Sequence, residues 1–256
     1  MKPGELVEVR AAAGLSLHDR RVFNLLIDNA WPEIGEDKEH RIAIAKVRGP
    51  RHESGDRVAE SVSRLMTTLV EIPTMLNGQA AVLKIQLLGE TTQVIDEDSP
   101  NAVLVYSFPP KLREIIKGSQ YWGRIKSHVM FAFTSKYALA LYEAVCLRAN
   151  LRVCEQAFSV ADFRALLGVE KGQYPGFPQL KQWVLTPSLS EVNGLSDFNV
   201  EIEPIREGGM LRGKLTGFRL WWEKKSPEEW RAVIDELNRP KVGRRARIRG
   251  KVEAVI

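Results

Sequence analysis

Two runs of alternating side chains near the carboxyl end constrain the fold of this chain more than any other feature. Phe198, Val200 and Ile202 alternate with polar neighbours in the first run, and Thr216, Phe218, Leu220 and Trp222 mark the second. A period of two is the signature of strands with one buried face, so the segment between them, REGGMLRGK, has to reverse the chain. That segment holds Gly208, Gly213 and Lys214 at the spacing of a nucleotide-phosphate loop, with Leu215 where the metal-binding hydroxyl would stand. Such a loop must follow a strand and open a helix, so that amides and helix dipole converge on the phosphates. A turn between two strands cannot do this, which excludes a nucleoside triphosphate site here.

The residues before the hairpin say what it packs on. FTSKYALALYEAVCLRAN is apolar on more than one face, as a central helix is. Ser159 caps a following helix with Asp162 in its third position, Phe163, Leu166 and Leu167 facing inward, and Gly168 at its end. Pro178 opens a third helix that runs towards Asn193-Gly194, and Pro187 is expected to kink or split it. Three helices followed by a glycine-rich basic hairpin is the order of a winged helix, the hairpin being the wing.

The first half follows a similar plan. Ser16 and Asp19 start a helix in which Leu17, Val22, Leu25, Leu26 and Ala30 recur at helical spacing until Pro32. HRIAIAKVRG reads as a short extended piece. A second amphipathic helix is expected from about Asp56 to Glu71, with Arg57, Ser61, Arg64 and Thr68 on its polar side. Ala81, Leu83, Ile85 and Leu87 alternate as a strand, AVLVYSF supplies its expected hairpin partner, and Asp96, Glu97 and Asp98 give that hairpin a tip that repels phosphate. The fold class is therefore α+β.

Charge is unevenly spread. The net charge is +5, and the stretch RPKVGRRARIRGK near the end holds much of the basic excess with little apolar content. Residues 239–256 are expected to form a disordered basic tail suited to a polyanion or merely to solubility. No apolar run is long enough for a membrane span and the start has no signal-peptide core, so a cytoplasmic location is expected. Cys146 and Cys154 have no partner motif and read as core residues of a reduced compartment, with no metal or cofactor expected. His18, His40, His52 and His128 are scattered without the paired spacing that a metal-dependent nickase needs, and no nucleophile motif is present, so no catalytic residue is assigned.

FTSKYALALYEAV, FSVADFRALLGVEKGQYPGFPQLKQWVLTPSLSEVN and FNVEIEPIREGG, spanning roughly residues 121–222, resemble the Rep-type initiators of iteron-bearing plasmids in order and spacing. LSLHDRRVFNLLIDNAW and DRVAESVSRLMTTLVEI match more loosely. The resemblance implies two tandem winged-helix domains related by internal duplication, placed at residues 1–125 and 126–238. It also implies binding of double-stranded DNA at repeated origin sites and recruitment of host replication proteins such as a helicase and an initiator. A monomer that initiates and a dimer that represses its own promoter complete the picture. A winged-helix transcriptional regulator without an initiator role is the alternative.

Projected at about 100° per residue, Gln179, Gln182, Thr186, Ser190 and Asn193 form one polar stripe of the third helix, with Phe177, Leu180, Trp183 and Val184 opposite. Exposed helix faces are usually rich in Glu and Lys. Gln, Thr and Ser are what a major-groove helix uses, although a solvated polar face explains the stripe as well. Gln179, Lys181, Gln182 and Thr186 are the expected base readers. Arg164, Lys171, Arg206, Arg212 and Lys214 are the expected phosphate contacts around them. Arg57, Ser61 and Arg64 are the corresponding residues of the first half, where the acidic hairpin cannot help. Where relatives often carry several basic residues in the third helix, this chain has Lys181 alone.

Overall fold

The computed structural model describes residues 2–7, 14–31, 33–49, 58–96, 99–209 and 213–250. They pack as two units, Met1–Arg124 and Ile125–Ile256.

The first unit runs β1 (Lys2–Pro3), α1 (Gly4–Val7), α2 (Leu17–Ala30), β2 (His40–Ala43), α3 (Ile44–Arg48), α4 (Val58–Thr67), β3 (Leu69–Leu76), β4 (Gln79–Gln86), β5 (Thr91–Gln93), β6 (Val103–Tyr106), α5 (Pro110–Gly118) and β7 (Trp122–Gly123). Its two ends are tied by β1 against β7. The main sheet has the order β2-β6-β5. Phe23, Leu26, Ile44, Leu65, Leu104 and Phe108 belong to the core between helices and sheet. Ser16 caps α2 as its composition requires, accepting from the Asp19 amide while Asp19 accepts from that of Ser16.

Strand pairing in this unit differs from the expected hairpin. The strand that contains Ala81, Leu83 and Ile85 pairs with Leu69–Leu76 before it, and β6 pairs with β2 and β5. The helix stops at Thr67 to release β3, and Asn77 and Gly78, both with positive φ, turn the ribbon. Asp96 sits in the β5–β6 connection, while Glu97 and Asp98 lie outside the described residues. HRIAIAKVR is half extended, β2, and half helical, α3.

The second unit runs α6 (Ser127–Ala132), α7 (Lys136–Arg148), β8 (Glu155–Ser159), α8 (Val160–Leu167), a third helix over residues 177–195, β9 (Phe198–Arg206), β10 (Leu215–Lys224), α11 (Pro227–Asn238) and α12 (Arg244–Arg247). Leu139, Tyr142 and Val145 of α7 are buried with Phe163, Val184, Phe218 and Trp222. The sheet order is β8-β10-β9. In both units the first strand thus pairs with the last, and the middle strand takes the far edge. Close pairing of β8 requires glycine at 217, where a Cβ would stand 2.3 Å from the Phe158 carbonyl oxygen. Cys146 is buried as expected, whereas Cys154 is exposed at the mouth of β8.

Residues 239–250 depart from the expected disorder. Arg244 is buried and the stretch turns helical at α12, because Glu236 of α11 supplies the counter-charge that the tail's own composition lacks. No helix among the described residues is long and apolar enough to cross a membrane.

Candidate nucleic-acid interface

The third helix of the second unit is one continuous element with an irregular middle. It begins as α9 (Phe177–Leu180), widens to a π turn over Lys181–Leu185, and continues as α10 (Thr186–Leu195). Pro187 does not break it: the backbone stays helical at Leu185 and Thr186. Proline has no amide to give to the preceding turn, and the π turn absorbs that loss, with the Thr186 amide donating to the Lys181 carbonyl five residues back. The widening also corrects the helical projection. Leu180, Val184 and Leu185 face the core, and Trp183, expected there, is 58% exposed.

Gln179, Lys181, Gln182 and Thr186 are all exposed. The later members of the stripe are committed within the protein. The Ser190 hydroxyl donates to the Thr186 carbonyl at 2.9 Å, and Asn193 both donates to and accepts from the Val200 backbone at 2.9 and 2.8 Å. Gln179 accepts at 3.5 Å from the Gly176 amide, which fixes the start of the helix. Lys181, Gln182 and Thr186 form one wall of an open groove of about 900 Å³ whose other side includes Ile248 and Arg249.

Two residues that sequence reasoning missed, Glu191 and Lys225, hold this helix in place, and Arg206, an expected phosphate contact, has an internal role as well. Glu191 is buried, and its carboxylate accepts from the Thr134 and Ser135 amides at 2.8 and 3.2 Å and from the Thr134 hydroxyl, at the start of α7. A carboxylate against orphan amides at a helix start is favourable on both charge and hydrogen-bonding grounds. At the other end the Lys225 ammonium donates to the carbonyls of Asn193 and Ser196. Burial pulls its pKa down to about 8, against the opposing pull of Glu229 and Asp197. Arg206 braces the wing: it donates to the Gly213 carbonyl at 2.8 Å, and its guanidinium lies 5.3 Å from the Phe177 ring centre. The hairpin base closes through the Glu207 amide on the Lys214 carbonyl. These partners are distant in sequence, so no local motif announces them.

The expected phosphate contacts divide. Lys171 and Lys214 are exposed, on the turn before the third helix and at the wing base. Arg164 is not turned outward: its two terminal nitrogens donate to the carbonyls of Gln173 and Tyr174, so it shapes the loop leading to the helix. Arg57 and Arg212 lie outside the described residues.

In the first unit the expected contacts are internal. Ser61 is fully buried and donates to Asp19 at 2.6 Å, and Arg64 donates through Nε to both Asp19 oxygens at 3.0 and 3.1 Å. Burial raises the Asp19 pKa, but the bonds from Arg64, Ser61 and Ser16 outweigh it and hold the carboxyl below its ordinary range. A buried carboxylate needs these partners. In sequence Ser61 and Arg64 look like a surface stripe, because their acceptor Asp19 comes from a different helix.

A cationic wing braced on an exposed polar helix is shared by many DNA-binding modules. Residues 1–146 match the family described as Initiator Replication protein, WH1, and residues 159–219 match Initiator Rep protein, WH2. The chain belongs to the plasmid replication initiator Rep proteins. Two tandem winged-helix domains are what those matches describe, and DNA binding at a plasmid origin is the role of this initiator Rep protein, whose family acts by binding rather than as a classical enzyme. The WH1 match runs past Arg124 into α7, and the WH2 match starts at the Ser159 cap. No curated protein sequence matches this Rep chain.

Proposed function

We propose that the second winged helix reads directly repeated origin sites, iterons, with its third helix in the major groove. Gln179, Lys181, Gln182 and Thr186 meet base edges, and Lys171, Lys214, Arg206 and Arg212 meet backbone phosphates. The observation that carries this reading is the sorting along residues 177–195: Gln179, Lys181, Gln182 and Thr186 are exposed, while Glu191 is buried on the Thr134 and Ser135 amides and Ser190 and Asn193 are bonded to backbone groups of the protein. Glutamine can bond adenine at two points and lysine can bond guanine, so a helix with one cation still discriminates between bases. Footprinting on duplex DNA with direct repeats tests it. Protection recurring at the repeat interval is expected, and a single protected palindrome, or no protection at low salt, overturns it.

A monomer–dimer equilibrium and repression of its own promoter belong to the same proposal, as do contacts with a host helicase and initiator and a cytoplasmic location. Self-association is assigned to the β3–β4 ribbon. Met75, Leu76 and Val82 are 64%, 66% and 58% exposed there, on two strands that pair with no third strand among the described residues. Exposed strand edges with apolar faces are association surfaces. Leu76→Lys is expected to shift the protein to monomer in sedimentation, and an unchanged dimer would place the contact elsewhere.

A further inference from the structure

The basic stretch that ends the described chain resolves into two kinds of arginine. Arg244 and Arg247 are anchors. Arg247 bonds both Glu236 oxygens, at 2.9 and 2.7 Å, and also the carbonyls of Val242 and Pro240. Arg244 approaches Glu236 Oε1 at 3.4 Å and donates to the carbonyls of Glu236, Leu237 and Arg239 at 3.0 to 3.1 Å. Arg247 is the chief cause that holds the Glu236 carboxyl below its ordinary range.

The anchors set the next residues against the third helix. Ile248 lies over Gly194, so closely that a Cβ at 194 would stand 2.7 Å from its own Cβ. Arg245 and Arg249 are exposed. Arg245 reaches the Thr134 hydroxyl at 3.4 Å, beside the start of α7, and Arg249 lines the groove whose far wall holds Lys181, Gln182 and Thr186. Among the described residues that line this groove none is acidic.

We propose that residues 243–250 are a docked arm that presents Arg245 and Arg249 to the phosphates of the strand bordering the third helix, with Glu236 as its positioning residue. The proposal rests on the reading of that helix as a major-groove element. Charge selects the occupant. A groove walled by Lys181 and Arg249 attracts a polyanion, and a segment that is itself basic cannot occupy the surface as a mimic of phosphate. Anchoring has a second effect: arginines held in place lose less freedom on binding than arginines on a loose tail.

The sign of one substitution separates a docked arm from a loose one. Glu236→Ala removes a negative charge, so for a loose basic tail it leaves DNA affinity unchanged or raises it. For the docked arm it lowers affinity about ten-fold. The probes are a duplex recovered by the full chain from a randomised pool and a scrambled duplex of the same length. Arg249→Ala, at an exposed position, is expected to reduce the slope of log affinity against log salt by about one with an unchanged melting temperature. An unchanged slope in Arg249→Ala, or unchanged or tighter binding by a folded Glu236→Ala, overturns the arm. Should Glu236→Ala not fold, the Arg249→Ala slope alone decides. Failure of the parent chain to recover any duplex is a different result, and it overturns the reading of the third helix itself.

Discussion

In the first unit two polar side chains of α4, Ser61 and Arg64, turn inward to close on Asp19, and the exposed Ser63 and Thr67 hydroxyls donate to carbonyls of their own helix. In the second unit the corresponding helix keeps Gln179, Lys181, Gln182 and Thr186 in solvent, and its internal bonds come from Glu191, Asn193 and Lys225. The two units share a strand order and spend their polar groups differently. The hairpins follow the same division. The connection after β9 bears Gly208, Gly213 and Lys214, while that after β5 bears Asp96, and the long ribbon of the first unit exposes Met75, Leu76 and Val82 beside the Lys84–Glu71 ion pair. A shared scaffold therefore does not imply a shared use of its third helix, and the partners of each polar side chain decide the matter.

The comparison breaks most easily at Asp19. Asp19→Ala removes a helix cap and leaves Ser61 buried without its acceptor, which costs about 2–4 kcal/mol; half-exposed Arg64 contributes the smaller share. Hydrogen exchange should show the loss confined to the first unit, with the salt dependence of DNA binding unchanged. A changed salt slope would mean that α4 faces DNA after all. Acid acts on the same group. The folded pKa of Asp19 is depressed, so its stabilisation is complete above about 3.8, the ordinary value, and is lost as pH falls through the folded value. An acid titration of unit-one amides checks that window, and Asp19→Asn should flatten it.

Smaller effects sharpen the other side. Gln182→Ala is expected to change preference at one base pair by about 1–3 kcal/mol, read by binding to a panel of single-base variants. Equal loss on specific and random duplex would remove it from base reading. Lys214→Ala should weaken all sequences alike and reduce the salt slope by about one. A sequence-dependent loss would move the wing from positioning to readout.

Local signals were legible before the fold was known and distant ones were not. Ser16 with Asp19 and Ser159 with Asp162 are contained within a few residues, and both cap as written. The alternation in β9 and β10 was equally self-contained. β3 was lost because Pro73 argues against a strand and Leu69 to Glu71 continue the helical pattern of α4. Trp183 was misplaced because a projection at constant angle cannot anticipate a π turn. The arginines after residue 239 look like a disordered basic tail in sequence because the Glu236 carboxylate that holds them belongs to a helix that composition alone does not bring back to them.

The wide turn at 181–185 places Lys181 and Thr186, five residues apart, on one wall, where an ordinary helix would set them roughly 140° from each other. If the third helix reads bases as proposed, loss of one codon among residues 183–185 would rewrite which letters the protein prefers while leaving Lys181, Gln182 and Thr186 in the gene, a route to new origin specificity that no comparison of side chains would flag.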